Sequence, residues 1–263
     1  MAHWDAERAE QWIRSQAQRN EVYRPATEKM LDLADLRPGS RVLDVAAGTG
    51  EQTLLAAQRV GPNGYVLVTD ISTSMLDAAA DAVRRAGLVN IESRLMDGEN
   101  LELDAESFDA VICRLGLMLF SDPPKALRGM SRVVRTGGKV AALVFSAAAK
   151  NPYEGIPRIV ADRRGRPMAR VFALGNHKLL EDTFRSGGFR KVAVHEVTTH
   201  RRFSSSAEAV QELKTDFHGW KIKELPAGQR EQAWAEVEQQ LRRFEGPNGC
   251  ELRGEMLIGV GTK

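Results

Sequence analysis

Three aspartates and one run of small residues offer the chemistry most open to reading in this chain. Asp44, Asp70 and Asp97 each close a short β-rich run, and Ala46, Ala47, Gly48, Thr49 and Gly50 follow the first of them. Small side chains let the backbone approach a ligand closely, and a helix opening there presents unpaired N–H groups and the positive end of its dipole. Such a turn suits an anionic group, either a pyrophosphate or an amino-acid carboxylate. Asp44, just ahead of the turn, would repel a pyrophosphate but would hold a positively charged amino group, directly or through water. Asp70 lies twenty positions beyond Gly50 and can accept from both hydroxyls of a ribose. Asp97, within Met96-Asp97-Gly98, can accept from an exocyclic adenine amine while Met96 meets the ring. A dinucleotide fingerprint would need glycine at position 53, where Thr53 stands. Any one aspartate also suits a cap or a turn. Three of them at successive strand ends beside one glycine loop make a nucleoside site.

The elements that must position these residues follow from periodicity. Strands are predicted at 41–45, 65–69, 91–95, 108–113 and 139–145, with helices at 51–60, 74–86 and 124–135 between them. Leu127, Met130 and Val134 share one face of the last helix, and Gly87 and Gly137 are placed as left-handed helix ends. Two helices precede this alternation, with Pro25 in the first turn of the second. Strands separated by helices require right-handed crossovers, giving an α/β, doubly wound, Rossmann-like and mostly parallel sheet. Three acids at its carboxyl edge fall where open sheets of this kind bind ligands. After position 145 the rhythm breaks. Residues 146–190 read as irregular, with Pro152, Pro157 and Pro167 and a short helix at 178–185. A strand at 191–200, a helix capped by Ser205 and Glu208, a helix carrying Trp234, Val237 and Leu241, and a closing strand at 255–260 complete the chain. The division is 1–150 for N-terminal helices plus cofactor-binding core, and 151–263 for a C-terminal helical cap and closing strands of the same sheet.

On these motifs the chain resembles the class I S-adenosylmethionine-dependent methyltransferases, especially the ubiquinone/menaquinone-biosynthesis branch and its small-molecule relatives. The resemblance runs from Tyr23 to Phe145, through Tyr23-Arg-Pro-Ala, the glycine loop, Thr69-Asp-Ile-Ser-Thr-Ser-Met75, Ser107-Phe-Asp-Ala-Val and Arg135-Thr-Gly-Gly-Lys-Val. It implies S-adenosyl-L-methionine as cofactor, with Asp44, Ala46, Gly48 and Gly50 around its methionine part. Asp70 would take the ribose, Ile71 and Met75 would pack nearby, and Met96, Asp97 and Gly98 would meet the adenine. Cys113 or Arg114, ending the fourth strand, would contact the amino-acid portion through backbone carbonyls. Ala46 departs from the family pattern, in which many members have glycine. Quinone specificity does not carry over, because these motifs do not fix the acceptor.

A sulfonium methyl is already electrophilic, so orientation supplies much of the acceleration and no metal is required. His177, His195, His200 and His218 are candidate bases, with His218 preferred because Trp220 lies beside it in the cap. Tyr23, Asn151, Tyr153, Glu154 and Trp220 are the expected acceptor contacts. Asn151-Pro-Tyr153 and Asp122-Pro-Pro-Lys125 each fall short of the box of nucleic-acid amino-methyltransferases and read as structural. Arg158, Arg163, Arg164, Arg166 and Arg170 form a basic cluster that reads as solvated surface or as an anion site. The N-terminal segment, with Trp4, Trp12 and Ile13, is expected to order over the ligands.

Composition sets the outer bounds. With 37 basic and 35 acidic side chains in 263 residues, the net charge of +2 provides no field for nucleic acid. At 43% hydrophobic the chain can bury a sizeable core, yet no run reaches the roughly 18 apolar residues of a membrane span. Cys113 and Cys250, two and far apart, make neither a disulfide framework nor a zinc site. The expectation is a cytoplasmic methyltransferase acting on a small-molecule acceptor, by O- or C-methylation, with homodimerisation allowed. The alternative is a catalytically silent S-adenosylmethionine-binding regulatory or interaction protein.

Overall fold

The computed structural model describes residues 6–166 and 170–263, so Trp4 and Pro167 lie outside the described residues. Helices α1 (Ala6–Arg14) and α2 (Gln16–Leu33) lead into β1 (Arg41–Val45), α3 (Glu51–Val60), β2 (Tyr65–Asp70), α4 (Thr73–Ala86), β3 (Ile91–Leu95) and β4 (Phe108–Arg114). Next come α5 (Pro123–Val133), β5 (Val134–Phe145), α6 (Pro152–Asp162), α7 (His177–Ser186) and β6 (Lys191–Phe203). Helices α8 (Ser206–Thr215), α9 (Trp220–Lys223) and α10 (Ala227–Leu241) precede β7 (Glu245–Gly246) and β8 (Gly249–Thr262).

The sheet order is β3-β2-β1-β4-β5-β8-β6, with β7 paired to β8. The five strands β1 to β5 run parallel, while β8 lies antiparallel between β5 and β6. The order reverses at β1 and β4, so their loops diverge and leave a crevice at the carboxyl edge. The fold is the expected Rossmann-like, mostly parallel α/β sheet. Valines and leucines of β1, β2, β4 and β5 form the main core, because strands covered on both faces need continuous apolar runs. A second apolar cluster joins Tyr153, Ile156 and Val160 of α6 to Val210 and Leu213 of α8 and Trp234 and Val237 of α10.

Local chemistry explains where helices start. Asp122 accepts from the Lys125 N–H at 2.9 Å with Pro123 opening α5, and Ser205 accepts from the Glu208 N–H at 3.2 Å at the head of α8.

Four sequence expectations change. Pro25 lies inside α2, which begins at Gln16, nine residues before it. Val134 opens β5 instead of continuing the stripe of α5, whose buried face is Ala126, Leu127, Met130 and Val133. Gly137 caps no helix. Its φ of 80° lies within β5, where three extra residues bulge between the pairs Phe108–Val134 and Ala110–Lys139. The stretch expected to be irregular after 145 contains α6, with Pro152 in its first turn and Pro157 inside it. Nine of that helix's eleven residues are buried, so tertiary packing outweighs the cost of the internal proline.

Candidate functional site

A cavity of about 420 Å³ opens at the carboxyl edge of the parallel strands. Its wall joins the β1–α3 loop, the ends of β2, β3, β4 and β5, Trp12 of α1, and the cap residues Phe217, His218 and Trp220. From the notable sequence residues it takes in Ala46, Gly48, Asp70, Ile71, Met75, Met96, Asp97, Gly98, Arg114, His218 and Trp220.

The β1 loop turns sharply because three of its residues have left-handed backbones: Ala46 at φ 54°, Gly48 at 58° and Gly50 at 80°. Ala46 therefore occupies a conformation that favours glycine. The Gly48 N–H donates to Oδ2 of Asp70 and the Ser72 N–H to Oδ1, each at 2.9 Å. Two backbone donors lock the carboxylate in place while each oxygen keeps acceptor capacity. Burial raises the Asp70 pKa above the usual carboxylate range. Asp97 is held similarly, its Oδ1 accepting from the Glu99 N–H at 2.9 Å. Gly98 is a close approach, since a Cβ there would lie 2.6 Å from Cζ of Phe120, another wall residue. Ile71, 45% exposed, and buried Met75 add apolar wall beside Asp70.

Asp44 is corrected. It is 0% exposed and off the wall, accepting from Oγ1 of Thr53 at 2.6 Å and from Nε2 of Gln52 at 3.1 Å. Burial pushes its pKa up to about 7. Gln52 reaches the cavity in its place. The Gln52 amide also donates to the Ala47 carbonyl at 3.0 Å, and two acceptors around Nε2 fix which way it points. Its Oε1 is buried without a hydrogen-bond partner among the described residues. An orphaned buried acceptor costs about 1–3 kcal/mol, so a donor arriving in the cavity is favoured there.

Gly50 and Cys113 also lie off the wall. Gly50 packs on α4, where a Cβ would sit 3.0 Å from Cβ of Ala79. Cys113 is fully buried, and burial drives its thiol up to about 12, leaving it neutral and inert. Its neighbour Arg114 does reach the wall, with its guanidinium on Glu51 and on Oγ1 of Thr27. Arg19 bonds the other oxygen of Glu51 at 3.2 Å, so two buried guanidinium groups share one carboxylate beside the glycine loop. Burial lowers Arg114 to about 9 and Arg19 to about 10, and both stay charged at neutral pH. The Arg19 guanidinium also stands 3.6 Å over the Trp12 ring, which meets Phe217 edge-on at 5.2 Å.

The expected acceptor contacts mostly stand behind the wall. Asn151 is a buried brace, donating to the Ala147 carbonyl at 3.1 Å and accepting from the Glu255 N–H at 3.0 Å. The Tyr23 hydroxyl donates to Oε1 of Glu154 at 2.7 Å, and Tyr153 bonds Glu212 and Asp216 at 2.8 and 2.9 Å. Only Trp220 of that group lines the cavity.

His218 lies on the wall but is not placed as a base. Arginine has only donors, so Nη1 of Arg158 at 3.3 Å takes the lone pair of Nδ1. Nε2 then carries the proton and faces the Tyr23 oxygen at 3.4 Å, which leaves no ring nitrogen with a lone pair for the cavity. Burial lowers its pKa far below the usual value, so the ring stays neutral. His177 meets the Val194 carbonyl, His200 meets Glu251, and His195 lies on β6, all away from the cavity.

The basic cluster divides. Arg163 and Arg164 pair with Glu236 at 3.3 and 2.7 Å and Arg166 is exposed, whereas Arg158 and Arg170 line the cavity. Sequence reading also passed over Gln52, Phe120, Phe145 and Phe217. Gln52 alone carried a signal, sitting in the first turn of the helix after the glycine loop. Among the described residues there is no cluster suited to a metal ion and no helix long and apolar enough to cross a membrane.

Comparison with known proteins gives this geometry a context. The model of the ubiE/COQ5 methyltransferase family matches residues 18–159, more than half of the chain. Over 117 residues the chain is 39% identical to the ubiquinone/menaquinone biosynthesis C-methyltransferase UbiE of Idiomarina loihiensis, covering 44% of this chain and 47% of that one. It is 38% identical over 120 residues to the nocamycin O-methyltransferase of Saccharothrix syringae, covering 46% and 43%. The chain thus spans about half the length of these relatives. The YcgJ protein of Bacillus subtilis shares the fold, with a TM-score of 0.61 at 18% identity over 91% of this chain and 99% of that one.

Proposed function

The chain belongs to the ubiE/COQ5 methyltransferase family, and from that premise we propose that its cavity binds S-adenosylmethionine and serves methyl transfer to a small organic acceptor. The residues present suit the group on three counts. Asp70 offers two oriented oxygens for a ribose diol. The orphaned Oε1 of Gln52 offers an acceptor for an ammonium group. The excess positive charge of Arg19 and Arg114 over Glu51 suits a carboxylate. Asp97 and Met96, with Phe120 against Gly98, would form the purine end.

When bound, S-adenosylmethionine supplies a methyl group on a positively charged sulfur. The chain's own part is binding, orientation and exclusion of water. Phe145, Phe217 and Trp220 give the cavity an aromatic stretch of wall. With both His218 nitrogens engaged, acceleration comes mainly from holding the acceptor in line at near-attack distance. O- or C-methylation of a hydroxylated ring or polyketide-like metabolite is the favoured reaction, since ionising one phenol or enol hydroxyl makes both its oxygen and the conjugated carbon nucleophilic.

The observation that carries this reading is the set of Gly48, Asp70 and Asp97 on one wall at successive strand ends. Isothermal calorimetry with S-adenosylhomocysteine should register binding, and labelled methyl should pass from S-adenosylmethionine to at least one member of a hydroxylated aromatic panel. No heat with either nucleoside sinks the cofactor reading. Binding without product across the panel favours the alternative of a catalytically silent regulatory protein.

A further inference from the structure

The charged residues on the cavity wall are segregated. All three acids, Asp70, Asp97 and Glu99, belong to the ends of β2 and β3. All four bases, Arg114, Arg158, Arg170 and Lys221, lie at the end of β4 and in the segments beyond β5. Two of these bases already have carboxylate partners: Arg114 has Glu51, and Lys221 has Glu224 at 2.9 Å.

Arg158 and Arg170 have no ion pair among the described residues. Arg158 is 3% exposed, and its guanidinium meets only the carbonyls of Glu154 and His218 and the neutral His218 ring, at 2.6, 3.5 and 3.3 Å. Its Nε is buried without an acceptor. The nearby acids do not fill that gap. Glu154 takes the Tyr23 hydroxyl and faces Arg201 at 3.6 Å, and Glu212 and Asp216 share the Tyr153 hydroxyl. Arg158 lines this partly apolar cavity, and a guanidinium with unpaired charge is suited to a planar oxyanion, which it can bind through paired hydrogen bonds. Phe145 and His218, which meet at 6.1 Å between ring centres, supply the aromatic floor beside it.

We propose that the acceptor carries an oxyanion, a carboxylate or a phosphate, and that Arg158, assisted by Arg170, holds it in the cap half of the cavity. This rests on the proposed cofactor reading, because the other half is assigned to S-adenosylmethionine. Arg158 would act as the anchor that orients the acceptor, leaving the nucleophilic atom to point toward the ribose end.

The test uses the 263-residue chain saturated with S-adenosylhomocysteine, titrated with 4-hydroxybenzoate, 4-hydroxyphenyl phosphate and uncharged 4-hydroxybenzamide. At least one anion should bind about tenfold tighter than the amide, since a charge-assisted pair at a dry site is worth that much. The tighter anion identifies carboxylate or phosphate. The preference should fall to about threefold or less in Arg158→Gln and in Arg170→Gln, with S-adenosylhomocysteine affinity retained. Equal or undetectable binding of all three probes overturns the proposal, as does a preference that survives in both variants. Loss of S-adenosylhomocysteine binding in Arg158→Gln also overturns it, by assigning that arginine to the cofactor. If Arg158→Gln does not fold, exposed Arg170 carries the test alone. Wild-type protein that fails to bind S-adenosylhomocysteine refutes the cofactor reading instead.

Discussion

Asp70 is hung between two backbone N–H groups, so its orientation does not depend on a ligand. Removing it should therefore subtract hydrogen bonds to the ligand while leaving β2 in place. Asp70→Ala is expected to weaken S-adenosylhomocysteine binding by ~1–3 kcal/mol. Unchanged affinity by calorimetry in a folded variant would remove the ribose assignment. Asp44 makes a different prediction, because burial raises its folded pKa to about 7. An acid whose pKa is raised on folding favours the folded state at low pH and loses that stabilisation as pH rises through the folded value. Unliganded wild type should accordingly lose stability between about pH 4 and pH 7, by up to roughly 4 kcal/mol from this group. Asp44→Asn cannot ionise and should show a flatter profile in urea unfolding at several pH values. Parallel profiles would show that Asp44 ionises normally. Both aspartates were legible in the sequence as acids at strand ends. Their separate roles were not, because Asp44 pairs with Val68 inside the sheet while Asp70 lies two positions further on, at the strand's end, and that register is set by strand pairing.

At the scale of elements, α1 is the part of the wall with least support from the sheet. Trp12 covers Gly48, and a Cβ on that glycine would sit 3.5 Å from the indole Nε1. The Arg19 guanidinium and Phe217 hold the ring from other sides. This geometry suits a lid that gains order when the cavity fills. Hydrogen exchange over residues 12–23 should slow on adding S-adenosylhomocysteine, more than in the strands of the core. Equal protection with and without the ligand refutes the lid. The amphipathic N-terminal segment was readable from spacing, yet α6 was not. Its prolines signal a loop, and packing against α9, α10 and β8 supplies the apolar burial that keeps it helical.

For the molecule as a whole, β8 is the closing piece. It pairs along one side with β5 from Lys139↔Thr262 to Phe145↔Met256 and along the other with all of β6. Deleting residues 249–263 would expose two strand edges and open the main core at Met256, Leu257 and Ile258. The truncated chain is expected to lose its cooperative thermal transition. A melt within a few degrees of the full chain would mean that β6 and β5 close without it.

The sequence by itself determined the alternation of strands and helices, the glycine loop and the acids that end β1, β2 and β3. Those are local signals, written in periodicity and turn chemistry within a few residues of one another. Which side chains share the cavity was decided only by tertiary structure. Gln52 took the place of Asp44, and Asn151 and Tyr153 became braces in the packing. Arg158 left a surface cluster for the interior. The contacts that place Asn151, Tyr153 and Arg158 join residues roughly 60 to 100 positions apart, which no local pattern encodes, whereas Gln52 and Asp44 meet across eight positions and only the fold of the turn shows it.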